Sequence, residues 1–323
     1  MSLISNSHEP IKEVQGIKLP FRLINFLKWR FVAYVFSFII TTTSIFFVVT
    51  KGFNWGLDFT GGTVVEMSFS QPADLTKVRS ILAQNNITSA TVQTTGSTSD
   101  LMIRLPAAQS NAQIGNQIKE MMTTIDPNIT IRSVDFVGPN VGEELTQAAI
   151  YATLATLAMI LIYIGSRFEW RLAVGAVAAL AHDVVVTLGV FSFLQIEVDL
   201  TFVAAILSVI GYSLNDSIVV FDRVRENVRK IRRLEMFDVV NISLTQTLSR
   251  TIMTSVTTLF VVLALFFLGG SSIHAFSLAL LVGIGFGTYS SIFVAIAVAF
   301  DLKLNREHMM PKVVEKEEFE EGF

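Results

Sequence analysis

The sequence predicts an α-helical membrane protein with six transmembrane helices and one external α+β domain of about 90 residues between helices one and two. Three observations lead there. Hydrophobic residues make up 51% of the chain, charged residues only 16%, and the mean hydropathy is +0.57, whereas ordinary soluble domains carry about a quarter charged residues. Six apolar runs approach or exceed the roughly 20 residues that a helix needs to cross a bilayer. The stretch 51–144 is polar and alternates strand-like with helix-like patterns.

The elements follow in order. Residues 1–30 form a polar arm of mixed charge, and no small-residue cleavage site follows the first apolar run, Phe31 to Thr50, so this run is expected to stay as an anchor. In 51–144, "TVVEMSF" has strand character, and "ADLTKVRSILAQNN" puts Leu75, Val78, Ile81 and Leu82 on one helical face. "TVQTT" and "LMIRL" flank a turn as a hairpin; "NAQIGNQIKEMMTTI" repeats the helical spacing and "ITIRSVDFV" closes with a strand. The order is βαββαβ, the split ferredoxin-like pattern. The region 145–300 holds the other runs: Leu145 to Ile164, Leu172 to Leu194, Leu200 to Phe221, Thr251 to Leu268 and Ala275 to Phe300. Residues 301–323 end in the acidic tail "EKEEFEEGF".

Basic residues orient the chain. Arg167 and Arg171 lie between runs two and three, and the 222–249 connection opens with "DRVRENVRKIRR"; "QIEVDL" and "GGSSIH" carry no Lys or Arg. Under the positive-inside rule both termini and the 222–249 loop are cytoplasmic, and 51–144 lies outside. The basic run sets topology and touches anionic membrane lipid; no nucleic-acid partner is expected.

Run four ends in "GYSLNDSIVVFDRVREN", where Asp216 interrupts the apolar pattern. A carboxylate inside hydrocarbon costs roughly 3 kcal/mol, so intramembrane acids default to function. Asp216 lies 17 residues past Asp199, about 25 Å down the helix, and Arg250 lies 19 residues before Gly269, about 28 Å by the same rise. The two therefore share a depth and can pair. Run three brings His182 and Asp183 near the midplane; adjacent helical residues diverge by about 100°, which can turn His182 elsewhere. Asp183, then Asp216 with Asn215 and Arg250, make a descending series that water can bridge into a proton path. The alternative is structural: Arg250 snorkels to the inner surface and Asp216, capped by Asn215 or Ser213, packs helices.

The chain has no cysteine, and its four histidines form no ligand pattern, so no metal site or cofactor is expected. Without a phosphate loop or a nucleophile beside a base, it reads as no enzyme, and its energy source is an ion gradient. "GLDFTGGT" outside run one offers Gly56, Gly61 and Gly62 for sharp turns, and Asp58 for backbone hydrogen bonds.

"FNWGLDFTGGT", "FVGPNVG", "RFEWRLA", "AHDVVVTLG", "GYSLNDSIVVFDRVREN" and "LSRTIMTSVTTL" together resemble the SecF type of the SecD/SecF family of protein-export membrane subunits. The resemblance runs from about Phe53 to the end of run six. It implies a six-span half of an RND-type transporter in the bacterial inner membrane, joined to SecD beside the SecYEG channel. In that picture the periplasmic domain helps to draw or release exported polypeptide and the proton gradient supplies the energy. The family's essential acid falls on Asp216 and its basic residue on Arg250, Asp183 matches a motif position, and "GLDFTGG" positions the external domain. Two other functions stay open: a small-molecule exporter half, and a scaffold for the Sec channel.

Overall fold

The structure is a computed structural model describing residues 11–14, 17–94, 97–109, 113–270 and 273–309. The acidic tail read from the sequence lies outside these. Strands β1 (Ile11–Val14) and β2 (Ile17–Leu23) form an antiparallel hairpin, and a single 3₁₀ turn leads into α1 (Arg30–Lys51). Asn54–Trp55 (β3) and a short helix, α2 (Leu57–Thr60), follow. The domain comprises β4 (Gly62–Ser68), α3 (Leu75–Gln84), β5 (Thr91–Thr94), β6 (Asp100–Leu105), α4 (Ile114–Thr123) and β7 (Thr130–Val137). The long helices are α5 (Pro139–Arg167), α6 (Trp170–Leu194), α7 (Leu200–Lys230), α8 (Met236–Leu268) and α9 (His274–Ser290). A two-residue strand, β8 (Glu197–Val198), separates α6 from α7; a π-helical segment, Ser291–Ala295, joins α9 to α10 (Ile296–Asp301).

The sheet order is β5-β6-β4-β7, antiparallel throughout, so a strand from the other half separates the two strands of each βαβ unit. Period-two alternation turns Leu101, Ile103 and Leu105 of β6 inward. They meet Val78, Leu82, Ile118 and Met122, the apolar stripes of α3 and α4. Asp74 caps α3 by accepting from the Thr76 and Lys77 amides. The other face of β6, carrying Met102 and Arg104, is only half-buried.

Six helices are long and apolar enough to cross a membrane. α6, α7 and α9 form the packed centre, and large apolar residues stay exposed on α1, α5 and α8, among them Val49, Ile162 and Phe267. Such continuous apolar faces suit lipid or another membrane helix.

The helices overrun the apolar runs. The segment read as a loop, 222–249, is largely helical: α7 continues to Lys230 and α8 starts at Met236. The reason is a second pattern under the charges, in which Val224, Val228, Val239 and Val240 are buried in one cluster while Arg229 and Lys230 point out. The end of the N-terminal arm joins this layer, with Leu23, Phe26 and Leu27 buried and the Leu27 amide donating to Asn241 Oδ1 at 3.1 Å. At the other end of the domain, α5 begins at Pro139, six residues before the apolar run, with proline in the first turn, where its missing N–H costs nothing.

Candidate functional site

The centre of the bundle is built around Asp183, which is fully buried on α6. Its Oδ2 accepts from Ser213 Oγ of α7 at 2.6 Å and from Ser290 Oγ of α9 at 2.7 Å. Its Oδ1 lies 2.9 Å from His182 Nδ1, so the two adjacent side chains converge; sequence spacing alone pointed the imidazole elsewhere. Small residues permit the approach: a Cβ on Gly287 would stand 3.3 Å from Ser213 Cβ and 3.5 Å from Asp183 Oδ2. The π-helical segment starts at Ser291, directly after Ser290; π-bulges in membrane and soluble helices often mark functional positions.

One turn further along α7, Asp216 is 3% exposed and its Oδ2 has no hydrogen-bond partner. Arg250 on α8 stands within electrostatic range of it, yet the two make no ion pair within 4.0 Å, and the Arg250 side chain is exposed. Neither Ser213 nor Asn215 caps Asp216, because Ser213 is committed to Asp183 and Asn215 is turned to an exposed face of α7. There it continues an open row of small residues, Ala204, Ser208 and Gly211. Two further buried polar atoms in this region have no partner: His182 Nε2 and Thr251 Oγ1, the latter next to Arg250.

The glycine motif forms a joint between the domain and the N-terminal end of α7. The Gly56 amide donates to Val198 O at 2.7 Å, and a Cβ there would meet that oxygen at 2.8 Å. Asp58 Oδ2 accepts from the Leu200 amide at 2.9 Å, in the first turn of α7. Gly61 (φ +65°) and Gly62 (φ +127°) turn the chain into β4 where L side chains are strained. β3 pairs in parallel with β8, and Glu197 Oε1 accepts from the Leu57 amide and from Arg104. Burial pushes the Glu197 carboxyl above its usual range, against the opposing pull of Arg104.

Sequence reasoning singled out Asp183, Asp216 and Arg250 by depth and named Ser213 as a cap of Asp216, but missed the bond of Ser213 to Asp183 and missed Ser290, Arg104 and Glu197. Ser213 itself was legible: it lies three residues before Asp216, on the same helical face. Ser290 and Arg104 reach their partners across more than 90 residues of chain, and spacing carries no signal for that.

Six helices long and apolar enough to cross a membrane, buried carboxylates at their centre and a separate sheet domain define a multi-pass membrane protein. Residues 117–305 match the family described as protein export membrane protein SecD/SecF, C-terminal, and residues 46–73 match the SecD/SecF GG motif. The chain is 68% identical over 307 residues to protein translocase subunit SecF of Haemophilus influenzae, covering 95% of this chain and 94% of that one. It is 47% identical over 300 residues to the SecF of Escherichia coli O157:H7, covering 92% and 93%. The crystal structure of SecDF, a translocon-associated membrane protein from Thermus thermophilus, superposes with a TM-score of 0.79 at 36% identity over 90% of this chain. This chain spans 40% of that longer one. SecDF in a super-membrane-facing form gives 0.65 at the same identity and coverage. The chain belongs to the SecD/SecF family, and its near-full-length relatives are SecF subunits of the protein translocase.

Proposed function

We propose that this chain works with SecD in the bacterial inner membrane as a proton-driven accessory to polypeptide export, with Asp216 as the acid that takes up and releases the proton. The observation that carries this reading is a buried carboxylate oxygen without a partner, one helical turn along α7 from Ser213, which donates to the fully partnered Asp183, and within electrostatic range of an exposed arginine. An ionised group so placed costs several kcal/mol, roughly 3 on insertion scales, and gaining a proton cancels its charge. Arg250, free of any ion pair within 4.0 Å, is the group whose attraction to Asp216 changes with that proton. A change of this kind biases α7 against α8, a local electrostatic event with a two-state element behind it.

In this reading both termini and the basic end of α7 are cytoplasmic, and the ferredoxin-like domain stands in the periplasm beside the SecYEG channel, where exported polypeptide emerges. SecD packs along the row of Ala204, Ser208, Gly211 and Asn215, since small residues let membrane helices approach closely. The SecF relatives favour polypeptide over small molecules as cargo. The two SecDF forms, matching this chain with different scores at equal identity, support a fold that moves.

A second reading is favoured for Asp183 alone. Both its oxygens have partners within 2.9 Å, which suits an anchor for α6, α7 and α9 as well as an outer station of the path. The test is gradient-stimulated export into membrane vesicles: Asp216→Asn abolishes the stimulation if the reading holds, and Asp183→Asn abolishes it only if Asp183 carries protons.

A further inference from the structure

Arg104 is a singular feature of the domain. It lies on the half-buried face of β6, and its side chain is only 18% exposed. Nη2 pairs with Glu197 Oε1, Nη1 donates to Trp55 O at 2.9 Å, and Nε is buried without a partner. One guanidinium thus grips both strands of the β3–β8 ribbon, and a rigid fork serves this better than any ammonium. Glu197 is committed in turn: the oxygen that takes the arginine also accepts from the Leu57 amide. Two residues on, Asp199 caps α7 by accepting from the Phe202 amide at 2.7 Å, while Asp58 holds the Leu200 amide. A continuous chain of contacts therefore runs from the middle of the sheet to the first turn of the helix that carries Asp216.

The domain is also attached by chain continuity at its two ends, through α2 into β4 and from β7 into α5. These ends lie together: a Cβ on Gly142 of α5 would stand 3.2 Å from the Gly61 amide. Gly56 and Asp58 tie this base of the domain to Val198 and Leu200, but they grip the segment before β4 and leave the sheet above free to rock about it. Arg104 sits at the far end of β6 from Asp100 and supplies a further point of attachment, made from the sheet itself to β8, the strand that leads into α7.

We propose that Arg104 and Glu197 form a latch that fixes the sheet to the outer end of α7, so that a tilt of the Asp216 helix is delivered to the domain through β6. This rests on the coupling role given to Asp216 above. Arg104 and Glu197 act as positioning residues: they touch no proton and no cargo.

The chain has no cysteine, so two introduced cysteines report on the latch without background from this chain, in complex with a SecD freed of cysteine. We would label Glu120→Cys on α4 and Leu194→Cys at the end of α6, both exposed, and measure the spin–spin distance distribution in the complex with SecD in lipid nanodiscs. With the native pair the distribution is narrow; Arg104→Ala and Glu197→Ala each broaden it, and the double variant broadens it no further than either single one. Arg104→Lys, which keeps the charge and loses the fork, lies between. In vesicles, the same variants assemble with SecD yet lose gradient-stimulated export at least fivefold, again without additivity. Unbroadened distances in the single variants overturn the latch, and so does full stimulation in variants that do broaden. If Asp216→Asn itself leaves stimulation intact, the coupling reading is what has failed, and the distance measurement still decides whether the latch exists.

Discussion

Ser290 Oγ lies 2.7 Å from Asp183 Oδ2, an oxygen that also accepts from Ser213, so one carboxylate ties α6, α7 and α9 at the centre of the membrane-spanning bundle. Removing the acid leaves the Ser213 hydroxyl and the His182 imidazole buried without their acceptor, while Ser290 Oγ keeps Gly287 O at 3.1 Å. Each lost acceptor costs about 1–3 kcal/mol. Asp183→Ala is therefore expected to lower stability by about 2–6 kcal/mol, and Ser290→Ala by about 1 kcal/mol. Thermal unfolding of the complex in detergent measures both, and equal effects would contradict this account of the cluster.

The π-helical segment after Ser290 makes its own demand. A Cβ on Gly175 of α6 would stand 2.1 Å from Ala295 O, whereas one on Gly165 of α5 would meet nothing within 4 Å. Gly175→Ala is expected to destabilise by about 2–3 kcal/mol through overpacking. Gly165→Ala should be neutral or stabilising by up to about 1 kcal/mol. Side-by-side melting curves compare them.

In the sheet domain, hydrogen bonds from Ser68 and Ser70 hold the Asp100 and Asp126 carboxyls below their usual range. A depressed carboxylate gives stability that is present above its unfolded value near pH 4 and is lost as pH falls through its folded value. Protection factors of β4 and β7 amides are therefore expected to hold at neutral pH and to fall below about pH 4. Asp126→Asn should flatten part of that dependence, which hydrogen exchange at several pH values would reveal.

The open row on α7 yields a prediction about assembly. Gly211 is exposed and a Cβ there has open space in the chain alone, so a bulky side chain is harmless to this subunit and harmful only to a closely packed neighbour. Gly211→Leu is expected to reduce co-purification of SecD by about tenfold, a loss of roughly 1.4 kcal/mol, with an unchanged melting curve for the subunit by itself. Unchanged co-purification would move the SecD contact to another face.

The sequence spelled out what periodicity carries and little of what long-range contact carries. The six spans were legible because each is an apolar run of about 20 residues, and the strands because burial repeats every two residues. Asp216 was legible because a carboxylate in an apolar run is rare. The helical character of 222–249 was obscured because six basic residues from Arg223 to Arg233 mask the apolar stripe of Val224 and Val228. Equal depth suggested that Asp216 and Arg250 pair, but depth fixes height along the helix and not the direction of a side chain; Arg250 turns outward. The partners of Asp183 and the Arg104 to Glu197 contact depend on which helices and strands become neighbours, and one chain's spacing does not encode that.

The central claim is that a proton at Asp216 powers the subunit. Its most direct test is export of a secreted precursor into vesicles containing SecD and either the native chain or Asp216→Asn, with and without an imposed proton gradient, at matched complex levels. The account requires that the gradient stimulates export with the native chain and has no effect with Asp216→Asn, while basal export is the same. Full stimulation with Asp216→Asn would contradict it and leave the buried acid as a packing residue.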